Sequence, residues 1–333
     1  MIVVAFVVLV AMLAAYVLLD GYDLGAGAVH LFVARNDAER VAVMESIGPY
    51  WNGNEVWLIA AGGALFALFP QVYASSFSGF YLPFMVLLWL LMFRGIAFEL
   101  RGQFPSDLWR SFFDVTFAVA STLLILVLGV ALGNIVRGVP LDAGHYFLGT
   151  FTFLLNPYAL GVGLLAVAAL AQHGAAWVAA RVDGAPAARA RSALKILWPA
   201  VLVLIAIVTI VTFAVHSPSA NLRAMPAIAL APLCSAAGLA GVAVFSLQRR
   251  PRRAFEASTL FLAGLLASSA ATVYPYLLPG YPAPQTGLSI FSAPAPPFAL
   301  ATILPVAIGG LIFVAAYRTF VGLRLNAGRV KPR

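Results

Sequence analysis

Two carboxylic acids stand in an otherwise apolar segment near the start of the chain. Asp20 and Asp23 belong to the sequence Leu-Asp-Gly-Tyr-Asp-Leu-Gly at positions 19 to 25. On a helix, residues three apart share a face, so both acids point towards the same neighbours. Neighbouring anions repel each other and burial disfavours charge, which favours the uptake and release of a proton. The pair therefore predicts one element of a proton path.

A second polar motif follows within thirty residues or so of the first, in the sequence Trp-Asn-Gly-Asn-Glu-Val-Trp at positions 51 to 57. Asn52 and Glu55 again share a helix face. If the first helix runs inward and the second outward, both motifs lie near the cytoplasmic surface. The sequence then predicts a cluster of Asp20, Asp23, Asn52 and Glu55.

These acids have two interpretations. A carboxylate costs about 2.5 to 3.5 kcal/mol at the bilayer centre and less near its edges, so intramembrane acids usually have a function. The first interpretation is proton handling. The second is an interfacial position in which the acids pair with Arg35, Arg40 or Arg94. Further salt bridges are expected where Arg94, Glu99 and Arg101 flank the inner end of one helix.

The remaining candidate ligands predict no cofactor site in this chain. The histidines are His30, His145, His173 and His216, and none forms a pair with ligand spacing. Haem needs an axial ligand in a dry pocket, whereas a lone histidine at a helix end is usually interfacial. The single cysteine, Cys234, excludes an internal disulfide, and its apolar neighbours predict a buried thiol.

The elements that carry these residues are membrane helices. Apolar residues make up 62% of the 333 residues and charged residues 10%, with a mean hydropathy of +0.97. Soluble domains are about 25% charged, so this composition excludes a water-soluble globular protein. The first apolar run lacks the positive flank of a secretory signal and outlasts a signal's short core, so it is interpreted as the first membrane helix.

Nine apolar runs are long enough to cross a bilayer. They span roughly residues 2 to 30, 52 to 69, 72 to 97, 110 to 134, 148 to 179, 194 to 214, 224 to 246, 255 to 277 and 297 to 321. The second and third runs are expected to meet at a tight turn near Pro70. The outer connection before the last run is rich in proline, which predicts a stiff, extended cap on the helix ends.

The positive charges orient these nine spans. Of the 20 Lys and Arg residues, only Arg137 and Arg223 fall on the side opposite to the C-terminal tail. This asymmetry predicts an outer N-terminus and a cytoplasmic C-terminus, because one missed or invented helix would scramble it. It also explains the net charge of +8 without a nucleic-acid partner. The basic run at positions 249 to 253 is a topology anchor that contacts anionic lipid.

Several ordered motifs resemble subunit II of cytochrome bd-type quinol oxidases. The similarity is dense over residues 19 to 102 and weaker through Leu155-Asn-Pro157 and Tyr274-Pro275. The motifs that carry it are Asp20-Gly-Tyr-Asp-Leu-Gly25, Arg35-Asn-Asp, Ile47-Gly-Pro-Tyr-Trp-Asn-Gly-Asn-Glu-Val-Trp-Leu-Ile59, Ala61-Gly-Gly-Ala-Leu-Phe-Ala67 and Phe77-Ser-Gly-Phe-Tyr-Leu82.

The resemblance implies an all-α polytopic membrane protein with nine transmembrane helices in one integral membrane domain over residues 1–333. Two four-helix bundles, about 1–134 and 148–277, would be followed by a ninth helix at about 297–321. The expected partner is subunit I, which holds two b-type haems, one d-type haem and the quinol site. A small accessory subunit and membrane lipid are further expected partners. The complex would lie in the bacterial inner membrane and reduce dioxygen to water with cytoplasmic protons.

The resemblance also assigns roles to individual residues. Asp23 matches an acidic position of the family and is the first candidate for proton transfer. Many members carry Asp where this chain has Asn52, so Asn52 is expected to orient water while Glu55 or Asp23 exchanges the proton. Trp51 and Trp57 would pack at the subunit contact. Gly21 and Gly25 have the small-xxx-small spacing of closely packed helices.

Two alternatives of other classes remain, a purely structural membrane scaffold and a transporter. A stand-alone proton-coupled transporter also suits acids near glycine-rich, interrupted helices. Haem absorbance that copurifies with a second subunit distinguishes the oxidase from such a transporter.

Overall fold

Several helices begin where the sequence supplies a capping group. In this computed structural model, the side chains of Asn36, Ser106 and Asn156 accept hydrogen bonds from backbone N–H groups three residues later, at 2.9, 3.4 and 3.0 Å. Such caps satisfy donors that the first helical turn leaves without partners. Pro157 then opens its helix at a position where no N–H is needed.

The structure describes the backbone of residues 1–324 and the side chains of residues 1–316. This part of the chain is almost entirely helical, with one pair of short strands. The α-helices are α1 (Ile2–Val33), α2 (Asp37–Ile47), α3 (Trp51–Leu68), α4 (Pro70–Gly79), α5 (Tyr81–Leu100), α6 (Asp107–Arg137), α7 (Phe151–Leu154), α8 (Pro157–Arg181), α9 (Ala185–Val215), α10 (Ser219–Ala224), α11 (Leu230–Leu247), α12 (Pro251–Val273) and α13 (Pro297–Arg324).

Eight helices of the described residues are long and apolar enough to cross a membrane. They are α1, α5, α6, α8, α9, α11 with its preceding 3-10 turn, α12 and the described part of α13. The protein is therefore an all-α polytopic membrane protein. The helix α3 is absent from this set because the polar residues Asn52, Asn54 and Glu55 of its first turns lower its hydropathy.

The predicted spans locate the long helices, but several of their limits differ. The run expected at 148 to 179 is broken between α7 and α8, and α9 begins at Ala185, well before the predicted residue 194. The expected turn near Pro70 is confirmed, since α3 ends at Leu68 and α4 starts at Pro70. The single run expected at 72 to 97 is instead broken at Phe80 into α4 and α5. Pro83 lies in the first turn of α5, where its missing N–H costs no helical hydrogen bond.

The helix α1 lies at the centre of the molecule and packs against α3, α6 and α8. Its crossing with α8 is close: a side chain on Gly25 would overlap the carbonyl oxygen of Leu170, and one on Gly174 would overlap the backbone of Gly25. A Cβ at Gly21 would lie 3.0 Å from the Leu170 side chain. Small residues at these positions let the two backbones approach each other.

The proline-rich connection after α12 covers the ends of several helices, as predicted. Leu278, Leu288 and Ile290 are fully or almost fully buried, and the Ala295 N–H donates to the Leu68 carbonyl oxygen at 2.9 Å. The sequence did not anticipate that this cap contains the antiparallel strands β1 (Tyr276–Leu278) and β2 (Leu288–Ser289).

The prediction of a buried thiol is wrong, because Cys234 is exposed. Its neighbour Leu233 is 63% exposed as well. In a membrane protein an apolar neighbourhood does not distinguish a lipid-facing surface from the protein core.

Candidate functional site

Acidic and amide groups from α1 and α3 meet an arginine from α5 inside the molecule. We name this group, Asp20, Asp23, Asn54, Glu55 and Arg94, the carboxylate cluster. Asp20 and Asp23 are completely buried, and Asn54 and Arg94 are each 1% exposed. Helical spacing places the two aspartates on one face of α1, as predicted from the sequence.

Arg94 joins the three helices. Its Nη1 donates to the Oε1 of Glu55 at 2.6 Å, and its Nη2 donates to the Oδ1 of Asp20 at 3.0 Å. The Cζ of Arg94 also lies 6.0 Å from the centre of the Trp51 ring. Planar guanidinium geometry suits two simultaneous carboxylate contacts. Arg94 is therefore paired inside the bundle and does not lie in the interfacial salt-bridge set expected with Glu99 and Arg101.

Asn54 ties α3 to α1. Its Nδ2 lies 2.6 Å from the Oδ2 of Asp23, 3.0 Å from the hydroxyl oxygen of Tyr22 and 3.1 Å from the carbonyl oxygen of Leu19. An amide nitrogen has only two hydrogens, so the three acceptors share them. This arrangement fixes the position of the Asp23 carboxylate.

The structure does not bring Asn52 into the carboxylate cluster. Its side chain is exposed, whereas Trp51, Asn54 and Trp57 form the buried face of α3. The amide that contacts an acid is thus Asn54, which the sequence interpretation missed. Trp51, Asn54 and Trp57 follow each other at intervals of three residues and so share one helix face. This spacing was the signal that could have identified Asn54 as a buried residue.

The two tryptophans pack within this chain. The Trp51 ring lies 5.3 Å from that of Phe98, and Trp57 belongs to an apolar core that includes Ala61 and Leu68. With exposures of 9% and 6%, both rings pack mainly against helices of this chain, and their place at a subunit contact stays a prediction.

A second buried group is centred on Asp114 of α6. The His30 Nε2 lies 2.9 Å from its Oδ1, and the Arg40 Nη1 donates to its Oδ2 at 3.0 Å. Arg101 donates from Nε to Oδ1 at 2.6 Å and from Nη2 to Oδ2 at 3.1 Å. Asp37 extends the group, since it accepts from Arg101 at 2.7 Å and from Arg110 at 3.0 Å. We name these six residues the Asp114 cluster.

A neighbouring ion pair holds the start of α2 against α9. Glu39 accepts from the Arg189 guanidinium and from the Arg35 backbone N–H, and Arg189 also donates to the Val33 carbonyl oxygen. The hydrogen bond from Arg189 lowers the pKa of Glu39 below its ordinary value of 4.5.

His30 and His173 are buried, not interfacial as expected. The ring nitrogens of His173 lie 2.7 Å from the Ser258 hydroxyl and 3.2 Å from the Leu18 carbonyl oxygen, and the ring stacks on Phe255. The His30 ring faces Phe117 with its Nε2 on Asp114. Both ring nitrogens of His173 therefore have protein partners, and the Nε2 of His30 contacts Asp114. Among residues 1–316 no group of three His, Cys, Asp or Glu side chains is arranged to hold a metal ion.

The fold and these clusters define a class: a polytopic helical membrane protein with acid-rich and arginine-rich groups buried between its helices. Comparisons with known proteins narrow this class. The sequence profile described as "Cytochrome bd terminal oxidase subunit II" matches residues 1–322. A "Probable cytochrome oxidase subunit 2" of Haemophilus influenzae is 31% identical over 93% of this chain and 90% of that protein.

Two further relatives agree. The "Cytochrome bd-I ubiquinol oxidase subunit 2" of Escherichia coli K12 is 39% identical over 61% of this chain and 52% of its own length, so the aligned region spans about half of that protein. The solved bd oxidase from Geobacillus thermodenitrificans has a chain with the same fold, with a TM-score of 0.78 at 22% identity over 98% of this chain and 99% of that one.

The chain belongs to the cytochrome bd terminal oxidase subunit II family. It is a subunit of a bd-type quinol oxidase, a quinol:oxygen oxidoreductase complex that contains haem and in which subunit II works with subunit I. With its apolar helices, it is a multi-pass protein of the bacterial inner membrane. The matches give no support to the alternative of a stand-alone transporter.

Proposed function

We propose that this chain supports subunit I in a heterodimer and supplies part of a cytoplasmic proton pathway for the reduction of dioxygen to water. In this proposal subunit I holds two b-type haems and one d-type haem, and this chain ligates none. The observation that carries the proposal is the carboxylate cluster, in which Asp20 and Glu55 contact one arginine and the buried Asp23 lies beside them on α1.

The proposed topology has nine crossings, namely the eight apolar helices given above and α3. Its 18 residues match the thickness of the hydrocarbon core at about 1.5 Å per residue. Counting α3 keeps nearly all Lys and Arg residues on the cytoplasmic side, with the N-terminus outside. The packing of α1, α3, α5 and α6, and of α8, α9, α11 and α12, supports two four-helix bundles joined through α1 and α8, with α13 as the additional helix.

The charge balance of the carboxylate cluster supports proton exchange. Asp20 and Glu55 both contact Arg94, and one guanidinium neutralises only one carboxylate. Asp23 lies next along α1 and is held by Asn54. We assign proton exchange to Asp23 first, with Asp20 and Glu55 as companions that keep Arg94 in place.

Asn52 has a different place in this proposal. Its exposed amide lies on the side of α3 that faces away from the core. Asn52 lies in the first turn of α3, at the cytoplasmic end of this helix in the proposed topology, where its amide can bind water. We assign this exposed face to a contact with subunit I, where Asn52 orients water. A small accessory subunit and membrane lipid complete the proposed partners.

Replacing Asp23 by Asn in the complete oxidase tests the role of this acid. Asparagine has a shape similar to that of aspartate and can still accept a hydrogen bond from Asn54, but it has no exchangeable carboxyl proton. Oxygen consumption should therefore slow while haem absorbance is unchanged. Asp107→Asn, an exposed acid on α6, is the matched control and should leave turnover unchanged. Unaltered turnover of the Asp23 variant across pH would sink the proton role, and loss of haem would indicate a role in assembly instead.

A further inference from the structure

The last residue of α6 is an arginine without a carboxylate partner. The Cζ of Arg137 lies 4.6 Å from the ring centre of Phe153 and 4.4 Å from that of Tyr281. Within the described side chains it forms no salt bridge, and its Nη1 is buried without a hydrogen-bond partner. The two rings and the carboxyl end of α6 hold the cation in place but do not neutralise it.

An apolar groove leads along the same face of α6. It encloses a cavity of about 110 Å³ between α5, α6, α7 and α8, lined by residues such as Val86, Val130 and Leu160. Val130, Asn134 and Arg137 share one helix face by their spacing of four and three residues. Arg137 itself does not line the cavity, but it lies about one helical turn beyond the lining residue Asn134 on the same face of α6.

The single polar residue that lines this groove within the described chain is already engaged. The Asn134 Nδ2 donates to the carbonyl oxygens of Leu154 at 2.7 Å and Val130 at 2.9 Å, and its Oδ1 accepts from Asn156 at 2.9 Å. The groove thus offers an occupant only hydrocarbon surface. An apolar chain fits it, whereas a sugar or a free ion has nothing to bind there.

We propose that Arg137 and this groove bind one phospholipid, with the phosphate against the guanidinium and an acyl chain in the groove. The unpaired cation at the end of an apolar channel matches a lipid's anionic head and hydrocarbon tail. A free anion would leave the apolar groove empty, and a neutral isoprenoid would leave the guanidinium of Arg137 without a counter-ion. The outer leaflet as the source of this lipid rests on the topology proposed above.

Native mass spectrometry of the complete, delipidated oxidase titrated with phosphatidylglycerol tests the head-group contact. Arg137→Gln should bind this lipid about tenfold more weakly than the parent, because one charge-assisted contact is lost. Arg223→Gln removes the other outer arginine, which is exposed and donates to the Ser219 carbonyl oxygen. It should bind like the parent, and equal binding by all three proteins would overturn the proposal.

Filling the groove tests the chain contact independently. Ala131→Phe places a ring among the lining residues and should displace the same lipid, whereas Val119→Phe, on an exposed part of α6, should not. The groove-filling variants still test the lipid proposal if the Arg137→Gln oxidase fails to assemble. Stabilisation by inorganic phosphate as strong as that by the lipid would show a free-anion site and refute the proposal. Haem absorbance and oxygen consumption, measured alongside, report on the proposed function separately.

Discussion

The carboxylate cluster and the Asp114 cluster use the same residue types with opposite charge balance. Both contact α1, where Asp23 and His30 are seven residues and about 10 Å apart along the axis. The first cluster holds three acids and a single arginine, Arg94, which contacts two of them. In the second, Arg40, Arg101 and Arg110 face two aspartates. An excess of acid leaves a site for an exchangeable proton, whereas an excess of arginine keeps its carboxylates ionised.

Hydrogen bonding reinforces this difference. Both oxygens of Asp114 are occupied, since His30, Arg40 and Arg101 all contact them. Asp20 accepts one charged hydrogen bond, from Arg94, and its other polar neighbour is the neutral hydroxyl of Tyr16. A saturated carboxylate locks helices together, and an unsaturated one retains room for a proton or a water molecule. We infer that the Asp114 cluster anchors α1, α2, α5 and α6, and that the carboxylate cluster performs the exchange.

Replacing Asp114 by Asn should have the largest effect of the changes considered. It leaves the buried Arg101 and its neighbour Arg40 without their shared anion, which costs about 3 to 5 kcal/mol for a buried pair. The yield of assembled, haem-containing oxidase and its melting temperature should both fall. Lower pH should not restore stability, because arginine keeps its charge. Asp107→Asn on the same helix should have no effect, and a similar loss in that control would contradict the anchoring role.

Arg94→Gln should have a smaller effect on stability than Asp114→Asn. Unlike the Asp114 variant, it should recover stability relative to the parent at low pH. It removes the partner of Asp20 and Glu55 and should cost about 2 kcal/mol at neutral pH. Protons can neutralise these acids, so the deficit relative to the parent should shrink as the pH falls. Melting temperatures measured from neutral to acidic pH check this, with the exposed Arg252→Gln as control. A difference in melting temperature from the parent that stays constant over pH would show that the two clusters do not differ in their response to protons.

Asn54→Ala should separate the structural part of the carboxylate cluster from its exchange role. The loss of its hydrogen bonds should cost about 1 to 2 kcal/mol and slow oxygen consumption, because Asp23 loses its fixed position. Asn221 is a matched control: its Nδ2 contacts the carbonyl oxygens of Ala271, Thr272 and Tyr274 at 2.9, 3.2 and 2.6 Å, with no acid involved.

Asn221→Ala should lower the melting temperature by a similar amount without changing turnover per haem. If both amide variants slowed oxygen consumption equally, the effect of Asn54 would be general loosening of the bundle, and Asp23 would no longer need a fixed position for its proposed role.

The sequence predicted elements better than partners. Apolar runs and prolines located almost all helices, and helical spacing put Asp20 and Asp23 on one face. The buried face of α3 was predicted wrongly, because Glu55 was taken to mark it instead of Trp51 and Trp57. Asn52 was therefore chosen over Asn54. Arg94 was among the three arginines expected to pair with these acids, but local spacing could not select it, since Asp20 lies 74 residues away along the chain. Which arginine reaches which acid depends on helix packing, and spacing along one helix carries no information about it.

Glu39→Gln should have the smallest effect and marks the edge of the anchoring region. The folded protein holds the pKa of Glu39 below its ordinary value of 4.5 through the hydrogen bond from Arg189. A lowered pKa means that this acid stabilises the folded state above pH 4.5 and that the contribution is lost as the pH falls through the folded pKa. The variant should therefore melt below the parent at neutral pH by a margin of about 1 kcal/mol. The two melting temperatures should converge in acid, while Glu45→Gln, an exposed acid on the same helix, follows the parent throughout. Convergence here would show that the contribution of Glu39 is electrostatic, and a persistent gap in acid would show that the amide substitution disturbs packing and not charge.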